Sequence, residues 1–286
     1  QIDCCDLENL TKAMNGCDIV YHTAATAYEG LSVFSPVLVT KNIFEASVTT
    51  ITAAIRNNVK RIVYCSSMAR YGHHDEVPYK ETYECRPQDP YGIAKKAGED
   101  VLRNLCETHG VEYVIAVPHN IVGPRQKYDD PFRNVMSIML NRMLQGKQPI
   151  IYGDGEQKRC FSYIDDCLYC LNALAFQDDV VGEVVNIGPD EEPVTINQLA
   201  EACANETGVN LDPEHHKDRP KEVKLATCSS DKARELLGYK TSTNMRQAVK
   251  KTADYIRQRG TKKFQYHLPL EIINEHTPDT WKNKLI

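Results

Sequence analysis

Residues 61–72 read RIVYCSSMARYG, and residues 87–95 read PQDPYGIAK. The first stretch is an apolar run that breaks into the Ser66–Ser67 pair; the second opens a helical pattern on Tyr91. RIVYC has the length and continuous apolarity of a strand buried on both faces. Twenty-four residues past Ser67 comes Tyr91, and one turn later Lys95. At i and i+4 the two side chains share a helix face. An ammonium near a phenol favours the phenolate and lowers a pKa normally about 10. Tyr91 would then be a usable base near neutral pH, and Ser67 could donate to the same substrate oxygen. Tyr-x-x-x-Lys occurs once among fifteen tyrosines. Such short motifs also arise by chance, and alone this one reads more readily as a surface tyrosine beside a solvated lysine.

Working outward, CDIVYHTAA at 17–25 is another apolar run, entering a turn of small residues. Phe44, Val48, Ile51 and Ile55 mark one face of a helix over about 38–58. A helix over 91–108 follows RIVYC, and VEYVIAV at 111–117 reads as a further strand. Apolar strands alternating with amphipathic helices predict a parallel sheet covered on both faces, joined by right-handed crossovers. After residue 118 the texture changes. A loop rich in Pro and Gly leads to a helix near 132–145, the QPIIYGDGEQ turn, a helix over 166–176 and the strand EVVNIG. TINQLAEACANETG is a helix with Thr195 as cap and Gly208 as stop. Two more helices close the body, and the tail 263–286 holds the only Trp, Trp281.

The 286 residues are 42% hydrophobic and 26% charged, an ordinary globular composition. A net charge of −5 gives no basic face for nucleic acid or an anionic membrane. No apolar run is long enough to span a bilayer. Eleven cysteines without a framework read as reduced thiols of a cytoplasmic protein. Cys167-x-x-Cys170 is the one CxxC; it lies in a helix-like run without a partner pair, so packing is expected and no metal.

The chain resembles the extended short-chain dehydrogenase/reductases, in particular their nucleotide-sugar epimerases. The landmarks come in family order from Cys5 to about Arg259: CDL at 5–7, HTAA at 22–25, Asn42, VKRIVYCSSMARYG at 59–72, Pro78, Glu81 and PQDPYGIAKKAGE at 87–99. PHNIVGPR at 118–125, IIYGDGEQKRCFSYIDD at 150–166, VVNIGPDEEPVTINQLA at 184–200, RPKEV at 219–223 and DKARELLGY at 231–239 complete it. The resemblance implies a Rossmann-like, doubly wound α/β fold with a smaller C-terminal substrate-binding α/β domain. It places an NAD-binding domain over 1–118, with 160–188 partly returning to it. A nucleotide-sugar domain covers 119–262, and 263–286 is a tail.

The resemblance further implies Tyr91 as base, Lys95 as its partner and Ser67 as hydrogen-bond donor to the sugar hydroxyl. Bound NAD would meet Asp6, Leu7, Thr23, Ala24, Ala25, Asn42, Ser66, Tyr91, Lys95 and Pro118. Asn120, Asn134, Arg159 and Arg219 match positions that hold a nucleotide-sugar diphosphate or its base, and Tyr152 one that packs on the base. An Arg suits a diphosphate, which it can bind through two parallel hydrogen bonds. Ala226 matches a gate against bulky N-acetyl groups, so both UDP-hexoses and UDP-N-acetylhexosamines are expected. A homodimer would pair helices 38–58 and 91–108.

Departures from the family pattern narrow the reaction. Dehydratase relatives carry an Asp–Glu pair where this chain has Met68–Ala69, and decarboxylases a Glu at Ala69; neither residue here exchanges protons. Epimerisation is the reading left. Cys160 stands where relatives usually have Asp, and Arg70 where they have an apolar residue. The Gly-x-x-Gly-x-x-Gly turn that meets a cofactor pyrophosphate is not present. An opening β-α-β unit of roughly 30 residues or more is therefore expected to be missing. That leaves two readings: a fragment of an epimerase, or a relative that no longer holds NAD.

Overall fold

Helix α1 (Leu7–Ala13) leads to strand β1 (Ile19–His22), then short helices α2 (Glu29–Ser32) and α3 (Pro36–Thr40). A π-helical turn over Lys41–Glu45 runs into α4 (Ala46–Arg56). Strand β2 (Arg61–Cys65), a 3-10 turn over Met68–Arg70, helix α5 (Pro90–His109) and strand β3 (Glu112–Pro118) follow. The second half runs β4 (Ile121–Val122), α6 (Val135–Met143), β5 (Ile150–Tyr152), β6 (Lys158–Arg159), β7 (Ser162–Tyr163), α7 (Ile164–Phe176) and β8 (Val184–Ile187). It ends with β9 (Val194–Thr195), α8 (Ile196–Thr207), β10 (Glu214–His216), β11 (Leu225–Ala226), α9 (Asp231–Leu237), α10 (Met245–Arg259) and α11 (Asp279–Lys282). This is a computed structural model, and it describes residues 1–191, 193–219 and 224–286. The single helix expected over 38–58 is a composite of α3, the π turn and α4.

Strands β1, β2, β3 and β8 form one parallel sheet in that order. All five residues of β2 are buried, as the run of apolar side chains requires. Alternate residues feed opposite layers. Ile62, Tyr64, Ile115 and Val117 pack with Ile51 of α4 and Leu102 of α5. Val63, Val114, Ala116 and Val185 pack with Cys167, Cys170 and Leu174 of α7 and Leu237 of α9. Two helical layers thus cover the sheet, which is the doubly wound arrangement. Among the described residues no strand pairs with the outer edge of β1.

Arg61 looks misplaced at the start of so apolar a strand. Its Nε donates to Glu112 at 2.8 Å, and one terminal nitrogen reaches the carbonyls of Leu174 and Ala175 at 3.2 and 3.0 Å. A buried cation at the carboxyl end of α7 is favourable because those carbonyls carry partial negative charge. Cys167 and Cys170 lie on the inner face of α7, and burial pushes both thiols up, Cys170 to about 12. They pack, as the spacing suggested.

Beyond the sheet, α6, α8 and α10 close an apolar cluster containing Met136, Leu140, Leu199, Cys203 and Val249. Thr195 caps α8 in a reciprocal box with Gln198. The tail joins Trp281 to Leu31, Phe34 and Phe132 in a separate cluster. Among the described residues, no helix is long and apolar enough to cross a membrane, and no group of His, Cys, Asp or Glu could hold a metal ion.

Candidate active site

Three consecutive residues at the end of β2 grip one face of α5. The Cys65 carbonyl accepts from Lys95 Nζ at 2.7 Å. Ser66 Oγ donates to Glu99 Oε1. The Ser67 hydroxyl lies against the Tyr91 phenol and draws its pKa down. Tyr91, Lys95 and Glu99 stand at i, i+4 and i+8, so they form one stripe. Asp89 starts the helix: its carboxylate accepts from the Gly92 amide at 2.9 Å and from Ser32 Oγ at 3.3 Å. Two glycines let α5 come this close. A Cβ on Gly92 would sit 2.7 Å from the Ala69 carbonyl oxygen, and one on Gly98 2.3 Å from the Tyr64 hydroxyl.

Burial dominates the electrostatics. It pushes the Tyr91 phenol up to about 12, the reverse of the lowering expected from Lys95 at i+4, opposed by Ser67 and Arg133 and reinforced by Glu29 and Asp89; the Lys95 ammonium is held on the Cys65 carbonyl instead. Lys95 is depressed to about 8, chiefly by burial; the Cys65 thiol and Glu99 pull it up, and Arg133 pushes it down. The Lys95 ammonium faces the strand and lies 5.4 Å from the Tyr64 ring centroid. The cation with the strongest pull on Tyr91 is Arg133, which the Tyr-x-x-x-Lys spacing does not include. His22, with Nε2 3.0 Å from Ser47 Oγ, is depressed to about 3 by burial and by Lys95, and stays neutral.

Thr23, Ala24 and Ala25 follow β1, Ser66 follows β2, and Pro118 ends β3. These are the carboxyl ends of three adjacent parallel strands, where ligands of doubly wound sheets bind. Thr23 and Ala24 are exposed and small, and they lead toward Asn42, whose Nδ2 donates to Thr26 Oγ1 at 2.9 Å. Such a low-walled, hydroxyl-bearing shelf fits a dinucleotide. Asp6 is spent locally: its carboxylate caps α1, accepting from the Asn9 amide at 3.1 Å and Asn9 Nδ2 at 2.7 Å. Leu7 opens α1 and packs on the α4 side of the sheet.

The expected sugar-side residues fall into small groups. Arg219 stacks on Tyr152, its guanidinium carbon 5.0 Å from the ring centroid. Tyr152 Oη lies 2.5 Å from Thr280 Oγ1 of the tail. Ala226 and Arg159 are cross-strand partners on β11 and β6. Asn120 Nδ2 donates to the Cys160 carbonyl at 2.9 Å. Asn134 caps α6 and also donates to the Ile121 carbonyl at 3.2 Å. Residues 220–223 of the RPKEV stretch and Glu192 lie outside the described residues.

Sequence reasoning missed Arg133. It lines a cavity of about 220 Å³ with Tyr28, Gln126, Lys127, Asp130 and Asn134. Its guanidinium donates to the Ala27 carbonyl at 2.7 Å and stacks 5.6 Å from the Tyr28 ring centroid. Adjacency to Asn134 was the only available signal. The tail residue Thr280 was equally hidden, because its contact with Tyr152 spans 128 positions.

Comparison with known proteins places this geometry. The chain is 30% identical over 244 residues to a Methanocaldococcus jannaschii protein provisionally named UDP-glucose 4-epimerase, covering 84% of this chain and 77% of that protein. It superposes with TM-score 0.85 and 29% identity on a UDP-glucose 4-epimerase from Thermotoga maritima solved with UDP-glucose, over 90% of this chain and 84% of the other. A UDP-N-acetylglucosamine 4-epimerase from Methanobrevibacter ruminantium, in complex with UDP-N-acetylmuramic acid, gives 0.83 at 28% identity, over 91% and 82%. Residues 1–188 match the profile of the NAD-dependent epimerase/dehydratase family. With the parallel sheet, the strand-end shelf and the Ser67–Tyr91–Lys95 arrangement, the chain belongs to that family.

Proposed function

We propose that this chain epimerises a nucleotide-diphosphate sugar at C4 through a 4-keto intermediate, with Tyr91 as the base. The observation that carries the reading is the Ser67 hydroxyl set against Tyr91 at the carboxyl end of β2. Thr23, Ala25, Asn42, Ser66, Lys95 and Pro118 would hold NAD, which supplies the redox step by accepting the hydrogen of C4 and returning it to the other face.

The chain's own part is proton handling and orientation. Ser67 donates to the C4 oxygen and fixes its position. Tyr91 would accept the C4 hydroxyl proton as a phenolate, a state that burial disfavours by pushing the phenol up to about 12 and that Ser67 and Arg133 favour; it gives the same proton back when the alcohol is restored. The cycle is proton-neutral, so no second acid or base is required. Met68 and Ala69, which begin the 3-10 turn beside the pair, offer none, and this disfavours dehydration or decarboxylation. Arg219 stacked on Tyr152 suits the diphosphate and base end.

A UDP-hexose or UDP-N-acetylhexosamine is the proposed substrate. The reading extends to a cytoplasmic homodimer joined through α4 and α5, supported by eleven free cysteines and by Ile93, 53% exposed on α5. Tyr91→Phe in the NAD-loaded protein tests the core of it. A fall in kcat of about 10²–10⁴-fold is expected for loss of a general base; turnover of UDP-sugars at the wild-type rate would refute Tyr91 as base.

A further inference from the structure

Glu99 has no exposed side-chain surface, yet one face of it meets Ser66 and the other meets Arg70. Arg70 Nη2 lies 3.0 Å from Glu99 Oε2, and the two side chains are 4% and 0% exposed. Arg70 sits at the end of the 3-10 turn that begins directly after Ser67. Its Nε points at Cys85 Sγ, 3.2 Å away, and its guanidinium carbon lies 5.2 Å from the Tyr71 ring centroid. A buried carboxylate needs an opposite charge and hydrogen bonds; here Ser66 supplies the hydrogen bond to Oε1 and Arg70 the opposite charge beside Oε2, which accepts no hydrogen bond. Glu99 is also one helical turn beyond Lys95 on the same stripe, where an unpaired carboxylate would attract the ammonium.

We propose that Arg70 is a positioning residue for the Ser67–Tyr91–Lys95 set: its buried ion pair with Glu99 locks the Cys65–Ser67 segment onto α5 and keeps the Glu99 carboxylate from claiming Lys95. This rests on the reading of Ser67, Tyr91 and Lys95 given above. Ser66 and Arg70 flank Ser67 on either side along the chain, and both end on Glu99. The strand-end segment is therefore tied to the helix before and after the serine. Lys95 can then keep its ammonium on the Cys65 carbonyl.

The groups facing this pair from other elements are few. Burial, the largest effect, pushes the Glu99 carboxyl up; Arg70, the Ser66 hydrogen bond and, from α5 itself, Lys96 and Arg103 pull it down. Lys95 faces the Cys65 thiol and Tyr64 from β2, His22 from β1 and Arg133 from the segment before α6. Among the described residues, the ion pair of Glu99 is with Arg70 and with none of these groups.

The test is a charge cycle read on Lys95 itself. Lys95 is titrated by NMR in the full-length protein carrying ¹³C-lysine, with the signal assigned by Lys95→Arg. Arg70→Met leaves Glu99 alone beside Lys95, and the titration should move up by about one unit. Glu99→Gln leaves Arg70 alone, and it should move down by a similar amount. The double variant should return close to wild type, and Arg70→Lys should hold near it. If Arg70→Met does not fold, the downward shift in Glu99→Gln carries the test. An unmoved Lys95 titration in the single variants, even with a lowered melting temperature, would overturn the proposal and leave the pair structural. Because the readout is a titration rather than turnover, it stands apart from the outcome of Tyr91→Phe.

Discussion

At the residue scale, the site is a set of ionisable groups held out of water. His22 shows the consequence for stability most directly. Its folded pKa of about 3 lies below the ordinary 6.5. Between these values the unfolded chain binds a proton that the folded one refuses, so stability is full above pH 6.5 and falls as pH drops. Lowering pH from 6.5 to 5 should remove about 2 kcal/mol through this group. Denaturant midpoints measured across that range should show the loss in wild type and a flatter profile in His22→Gln. Ala226 tests specificity at the same scale. It is 8% exposed and opposite Arg159; a small side chain there predicts comparable turnover of UDP-glucose and UDP-N-acetylglucosamine. Ala226→Tyr should then lower kcat/KM for the acetylated sugar selectively, by about 10–100-fold. Strict rejection of the acetylated sugar by the wild type would contradict the gate.

At the scale of elements, the junction of β2 with α5 is what the molecule cannot loosen. Gly92→Ala should gain about 1 kcal/mol of helix propensity, yet its Cβ would press on the backbone of Ala69 and shift Ser67. Displacing that backbone costs more than the propensity gains, about 1–3 kcal/mol, so the expected result is a lowered melting temperature with kcat reduced by about 10²-fold. Unaltered kcat would show that the contact is slack. This junction was largely legible in the sequence. RIVYC is apolar on both faces after Arg61, and the Tyr91–Lys95 step marks the helix face once it is read with the landmarks around it. What was not legible depends on three-dimensional pairing. Arg70 stood out as a charged residue at an apolar position, but its partner Glu99 is visible only once α5 lies on the strand end. The π turn at Lys41–Glu45 leaves no periodic signature distinct from that of the helix it joins, so one helix was read where three pieces exist. Arg133 lies in an irregular loop, where neither period applies.

On the scale of the whole molecule, the tail ties the turn between α2 and α3 to the loop before α6. Ser35 Oγ donates to the Pro269 carbonyl at 2.6 Å, and the Gln265 amide to the Asp129 carbonyl at 2.8 Å. Trp281, 2% exposed, packs with Phe34 and Phe132 at ring-centroid distances of 6.0 and 5.4 Å. Trp281→Ala should cost about 3–5 kcal/mol, the range for a buried aromatic truncated to alanine, measured by chemical denaturation. A loss below 1 kcal/mol would show that the tail is not part of the cooperative structure. The Glu271 carboxylate meets the Val37 and Leu38 amides at 2.9 Å each, donors that the first turn of α3 cannot satisfy internally. Those two amides are thus a built-in gauge. Their hydrogen–deuterium exchange should be slow only while the tail is seated, so any ligand that unseats it would be recorded at the start of α3, without a reporter group being attached.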